Sequence, residues 1–139
     1  MKFDEIQSCL REDGWPLEGL SENTVRSRFR GNDHVFPLFI HADDLFVTFA
    51  VIPYIKGFED LDVAEDLLRR LLQLNREVNM ARFSIDGDGD VILSVEYKLQ
   101  DLDPSEVRDA VDVLSFYAEK HHGELSRIAD KAAHRKPGG

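Results

Sequence analysis

Asp86, Asp88 and Asp90 alternate within "SIDGDGDVILSVEY", with Glu96 close downstream. Carboxylates at every second position, followed by an acid, are how a calcium-binding loop begins. An EF-hand loop also needs glycine at its sixth position and a bidentate glutamate at its twelfth. Counted from Asp86, those positions hold Val91 and Tyr97, and Glu96 falls one residue early. The flanks "MARFSID" and "VILSVEY" alternate with period two, where a calcium loop requires helices. The stretch therefore reads as two antiparallel strands joined by a tight turn, with Gly87 and Gly89 supplying positive φ and the aspartates bonding their own backbone. No metal ligands are assigned.

The remaining reactive side chains do not converge in sequence. The histidines stand at 34, 41, 121, 122 and 134. Adjacent His121 and His122 point about 100° apart on a helix and cannot grip one ion as an i, i+4 pair would. At the end of a helix they suit its dipole. Cys9, beside Leu10 on an amphipathic stretch, reads as a semi-buried, inert thiol. A phosphate-binding glycine loop, a GxSxG elbow and an HExxH pair are all missing. The expectation is a non-enzymatic protein with no catalytic and no cofactor-binding residues.

The elements that would position these groups follow from periodicity. Phe3, Ile6 and Leu10 mark a first helix, closed by Gly14, with Trp15-Pro16 in a connecting loop. "NTVRSRFRG", "VFPLFIHA" and "LFVTFAVIP" read as three strands separated by turn residues, and Pro37 implies a bulge or an unpaired edge in the middle one. "DVAEDLLRRLLQLNREV" is a second helix, with Asp62 and Glu65 at capping-box spacing. After the hairpin, Asp103, Pro104 and Glu106 take the N-cap, N1 and N3 positions of a third helix. Val107, Ala110, Val111, Leu114 and Ala118 form its buried stripe. Leu125 and Ile128 keep the phase, so the helix either crosses Gly123 or restarts after it. The order α-β-β-β-α-β-β-α predicts an α+β fold, a five-stranded antiparallel sheet with helices on one face. Residues 1–130 are read as one domain and 131–139 as a polar, disordered tail.

The chain has 139 residues, 42% of them hydrophobic and 32% charged, with a formal net charge of -10. That balance opposes general nucleic-acid or anionic-membrane binding. A single cysteine, a charged first segment and short apolar runs point to a soluble, cytoplasmic protein. Two features stand out as partner sites. Arg26, Arg28 and Arg30 project from one face of the first strand. They would guard an outer strand against sheet-to-sheet pairing or, on so acidic a chain, dock an acidic partner. The strands also carry surplus apolar residues: Phe36, Leu38 and Ile40 lie opposite Val35 and Phe39, and Phe46, Ala50 and Ile52 lie opposite Leu45, Val47, Phe49 and Val51. The second helix repeats the excess. Val63, Leu67, Leu71, Leu74 and Val78 form its stripe, and Ala64, Leu68 and Leu72 widen it. Arg26, Arg28, Arg30, Phe36, Leu38 and Ile40 are taken as partner-binding, and Leu68 and Leu72 as a homodimer interface, with Arg69 and Arg70 reaching the neighbouring chain.

"LLQLNREVNMARFSIDGDGDVILSVEYKLQDLDPSEVRDAVDVLSFYAEKH" resembles the YbjN family, also labelled bacterial sensory transduction regulators. The resemblance rests on a leucine-rich helix ending in Asn, an Asp/Gly turn, a "VLSVEY"-like strand and a helix opened by proline. The element order is similar to that of class I type III secretion chaperones. The resemblance implies a small dimeric, chaperone-like binding protein with no family-wide catalytic residues. The expectation is a non-enzymatic adaptor or chaperone-like regulator with a protein partner. The alternatives are a single-stranded nucleic-acid-associated protein, using Phe29 with the arginines, and a small-ligand sensor.

Overall fold

A computed structural model of the chain describes residues 1–57 and 64–134. Its elements are α1 (Phe3–Glu12), β1 (Glu18–Ser21), β2 (Thr24–Arg30), β3 (Val35–Ala42), β4 (Phe46–Ile55), α2 (Glu65–Glu77), β5 (Arg82–Ile85), β6 (Val91–Lys98) and α3 (Pro104–His134). The strands form one antiparallel sheet in the order β1-β2-β3-β4-β6-β5. The fold class is the α+β arrangement expected from sequence, with six strands in place of five. The added strand, β1, has the sequence EGLS, which lacks β-branched residues. Its pairing with β2 (Glu18 opposite Arg26, Gly19 opposite Val25) makes it a strand where local propensity does not.

That extra strand changes the meaning of its neighbours. β2 is the second strand in the order, but β1 pairs only with Thr24–Arg26, so Arg26 is covered while Arg28 and Arg30 lie on a stretch of β2 with no outer strand. Pro37 lies on an internal strand opposite Arg28, and the β3–β4 register begins one residue later, at Leu38–Val51. The proline thus sits where the ladder to β4 ends, on a locally unpaired side of the strand, the second of the two expected arrangements.

All three helices pack on one face of the sheet. α3 crosses β4 and β6, α2 lies against β5 and α3, and α1 against α3. The core beneath them joins Phe36, Leu38, Ile40, Val47, Phe49, Val51, Phe83, Leu93 and Val95 from the sheet to Leu67, Leu71, Leu74, Val107, Val111, Leu114 and Leu125 from the helices. Each fully buried large side chain contributes about 1.5–3 kcal/mol. The helical stripes read from sequence are buried as expected; Val63 and the Asp62 cap lie outside the described residues. α3 begins with the predicted capping box: the Ser105 N–H donates to Asp103 Oδ1 at 2.8 Å, and the Asp103 N–H to Glu106 Oε1 at 3.1 Å. The helix continues through Gly123 to His134, so residues 131–134 are helical and Ala132 is buried, a correction to the tail expected from residue 131. No described helix is long and apolar enough to cross a membrane.

Candidate functional site: the outer face of the sheet

The DGDG segment is a hairpin turn between β5 and β6. The Asp86 N–H donates to the Asp90 carbonyl at 3.0 Å, and Asp86 Oδ1 accepts from the N–H groups of Asp88 (2.9 Å) and Asp90 (3.0 Å). Gly89 takes positive φ (80°), and Gly87 does not, a correction to the expectation for both. The carboxylates of Asp86, Asp88 and Asp90 come within 4.8 Å of one another. Two of them have evident structural work. Asp86 organises the turn, and Asp90 Oδ1 accepts the Gly57 N–H at 2.8 Å. A Cβ on Gly57 would stand 1.6 Å from the Gly89 carbonyl oxygen, so only glycine lets the chain leaving β4 pass this close to the turn.

Histidines that look scattered along the chain meet in space. His34, between β2 and β3, stacks on His122 of α3 with ring centroids 4.6 Å apart. Both oxygens of Glu119 accept the Asn32 N–H beside them. Burial, followed by His34, holds the proton affinity of His122 below that of a free imidazole. His121 packs on Tyr117 and is shifted the same way, also by burial first. Burial raises the proton affinity of Cys9 and, more strongly, of Tyr54, whose hydroxyl donates to the Ala118 carbonyl at 2.7 Å. Desolvation leads each of these shifts, as it does for groups held in a packed interior.

Phe36, Leu38 and Ile40 are 1%, 1% and 0% exposed. They belong to the helix-covered core, which corrects the expectation that they meet a partner. The surplus apolar residues lie on the opposite face. By strand register, one row across it runs Glu18, Arg26, Phe39, Ala50, Ser94, Arg82. Arg28 stands opposite Pro37, and Arg30 opposite Val35. Pro37, Phe39, Phe46, Ile52 and Ile92 are half-buried, Val35 is exposed, and all six stand outside the core cluster. No described helix packs over this face. Arg26 pairs with Glu18, and Arg82 lies 3.9 Å from Glu96. Arg28 and Arg30 make no ion pair among the described residues.

The two sheet edges are treated differently. At β5, Asn75 of α2 donates through Nδ2 to the Phe83 carbonyl (3.0 Å) and accepts the Phe83 N–H at Oδ1 (2.6 Å). One side chain therefore satisfies both backbone groups of an edge residue. Its signal in the sequence is the Asn that ends the leucine-rich run, a feature whose work periodicity does not reveal. β1, at the other edge, is exposed along its length.

On α2, Leu68 is half-buried and Leu72 is 73% exposed. The arginines beside them bond within the chain. Arg69 pairs with Glu65 at 2.9 Å, and Arg70 with Glu124 of α3 at 3.2 Å.

The class that these features define is an α+β domain whose antiparallel sheet is covered by helices on one face and open, and partly apolar, on the other. Residues 38–130 match the TY-Chap1 profile, described as T3SS (YopN, CesT) and YbjN peptide-binding chaperone 1, and the chain belongs to that family. Solved structures share the fold. YbjN from E. coli has a TM-score of 0.61 at 14% identity, covering 89% of this chain and 93% of that one. The heterodimeric ExoU–SpcU complex from the type III secretion system of Pseudomonas aeruginosa matches at 0.58 and 18% identity, covering 89% and 97%. An uncharacterized protein from Methanothermobacter thermautotrophicus matches at 0.57 and 16%, covering 89% and 95%. No curated protein matches the sequence.

Proposed function

We propose that this protein is a non-enzymatic, peptide-binding chaperone or adaptor. In this reading it holds an extended segment of a partner protein on the outer face of its sheet and works as a homodimer in a reducing, cytoplasmic compartment. The observation that carries the reading is the half-buried apolar strip of Pro37, Phe39, Ile52 and Ile92, over which no described helix lies. Exposed apolar surface of this kind marks an interaction site, and the family description supplies the class of partner. Residues 1–130 act as one domain in this proposal. Leu68 and Leu72 remain the proposed dimer contact, supported by the exposure of Leu72 and by the economy of two-fold pairing.

Binding of fluorescein-labelled, uncharged, leucine-containing peptides, read by anisotropy, tests the proposal. Phe39→Asp is expected to weaken binding at least tenfold with the melting temperature nearly unchanged. Unchanged binding, or none by the parent protein, would overturn it. Light scattering at tens of micromolar should show a dimer that Leu72→Glu alone converts to a folded monomer; a monomeric parent removes the dimer from the reading.

A further inference from the structure

The chain is acidic overall, yet its open sheet face carries a row of arginines. β2 presents Arg26, Arg28 and Arg30 outward, and the register sets each beside an outward residue of β3: Phe39, Pro37 and Val35 in turn. Two parallel rails result, one cationic and one apolar. Neighbouring strands lie about 4.8 Å apart, and a rail of five residues spans about 14 Å at ~3.4 Å per residue. A hollow of about 430 Å³ opens across the two rails, lined by Pro16, Leu17, Arg26, Arg28, Val35 and Pro37, and by Glu18. Glu18 is paired with Arg26, which leaves Arg28 as the unpaired charge of the hollow among the described residues. That volume lies in the range of clefts that hold ligand groups.

Charge narrows the occupant. On a chain of net charge -10, Arg28 and Arg30 have no ion-pair partner among the described residues. β1 pairs with β2 only at Thr24–Arg26, so Arg28 and Arg30 stand on a stretch that no outer strand covers, where their charge also discourages strand pairing. Guanidinium groups held on a strand suit carboxylates, which they can engage in bidentate fashion. Apolar residues directly alongside favour a ligand that brings apolar groups at the same spacing.

We infer that the preferred occupant is an extended, acidic segment of a partner protein. Its carboxylates meet the Arg26–Arg28–Arg30 rail while neighbouring apolar side chains settle on Val35, Pro37 and Phe39. This rests on the peptide-binding reading above and adds the chemistry of the bound segment. The acidic surface of the chain also repels anions at a distance, so selectivity must arise at close range, on the rail itself.

The test uses three labelled 14-residue peptides that share alternating leucines and differ only in the intervening residues: glutamate, lysine or serine. Oligo(dT) is the fourth probe, and anisotropy is read with the full-length protein. The glutamate peptide is expected to bind at least tenfold tighter than the lysine peptide at low salt. Arg28→Ala with Arg30→Ala should remove that preference while leaving serine-peptide affinity within about twofold, as should 0.5 M NaCl. Equal affinity for the three peptides would overturn this inference and leave the peptide-binding proposal standing. Failure of every peptide would overturn both. Oligo(dT) binding as tight as the glutamate peptide would reassign the rail to phosphate, and an Arg28- and Arg30-dependent dimer in place of peptide binding would reassign it to a second copy of the chain.

Discussion

Phe49 and Ala50 are neighbours in β4, yet their side chains meet opposite environments. Phe49 is fully enclosed beneath the helices with Ile40 and Val95 beside it. Ala50 stands on the far face in the row that holds Arg26, Phe39 and Arg82, buried between Phe39 and Ser94 without any described helix above it. Both faces carry apolar residues, but only one receives helices. Apolar side chains are thus necessary for a core, and what distinguishes core from surface is the layer supplied by other elements. The edges repeat the contrast, with β5 sealed by Asn75 and β1 left exposed.

Phe49→Ala should give the largest effect, a loss of about 3–5 kcal/mol in urea unfolding. Phe39→Ala on the open face should cost about 1 kcal/mol or less. Equal losses would mean that the outer face is also enclosed, and the comparison would fail. For the edges, Asn75→Ala should cost about 1–3 kcal/mol, since it strands the backbone groups of Phe83 in a partly buried site. Hydrogen exchange at the Phe83 amide should quicken, while exchange at β1 stays fast in both proteins. An unchanged Phe83 amide would show that α2 seals this edge without the asparagine.

The smallest effect concerns pH. The folded state holds His121 and His122 below their ordinary affinity for protons, with burial the leading cause in each case. As pH falls through about 6.5, the unfolded chain takes up protons that the folded one resists. Their contribution is therefore present above that pH and is lost as pH falls through the depressed folded values. Urea midpoints should drop between pH 7.5 and 5.5 in the parent and less in His121→Gln with His122→Gln. Parallel drops would place the titration in other groups.

Much of the fold is legible along the chain. The hairpin, the capping box at Asp103 and the buried stripes of α2 and α3 depend on residues within a few positions of one another, so local pattern suffices. β1 is not legible because its sequence has no strand preference and is ordered by pairing to β2. The candidate site is legible only in part. The arginines alternate visibly, and their common outward face follows from strand geometry. An apolar alternation on both faces does not say which face the helices will cover, so Phe36, Leu38 and Ile40 read as partner surface along the chain and are core in the fold.

Sequence by itself determined the α+β class, the start of α3, the side-chain alternation of the strands it revealed and the acidic background against which three arginines stand out. These follow from short-range sterics, capping chemistry and composition. Tertiary structure decided which face became the core, that β1 covers only Thr24–Arg26 of β2, that Asn75 closes the β5 edge, and that His34 finds His122 across the fold. Each of those outcomes depends on elements far apart in the chain burying surface against one another. Burial is non-directional and has no fixed spacing in sequence, so no local pattern records it.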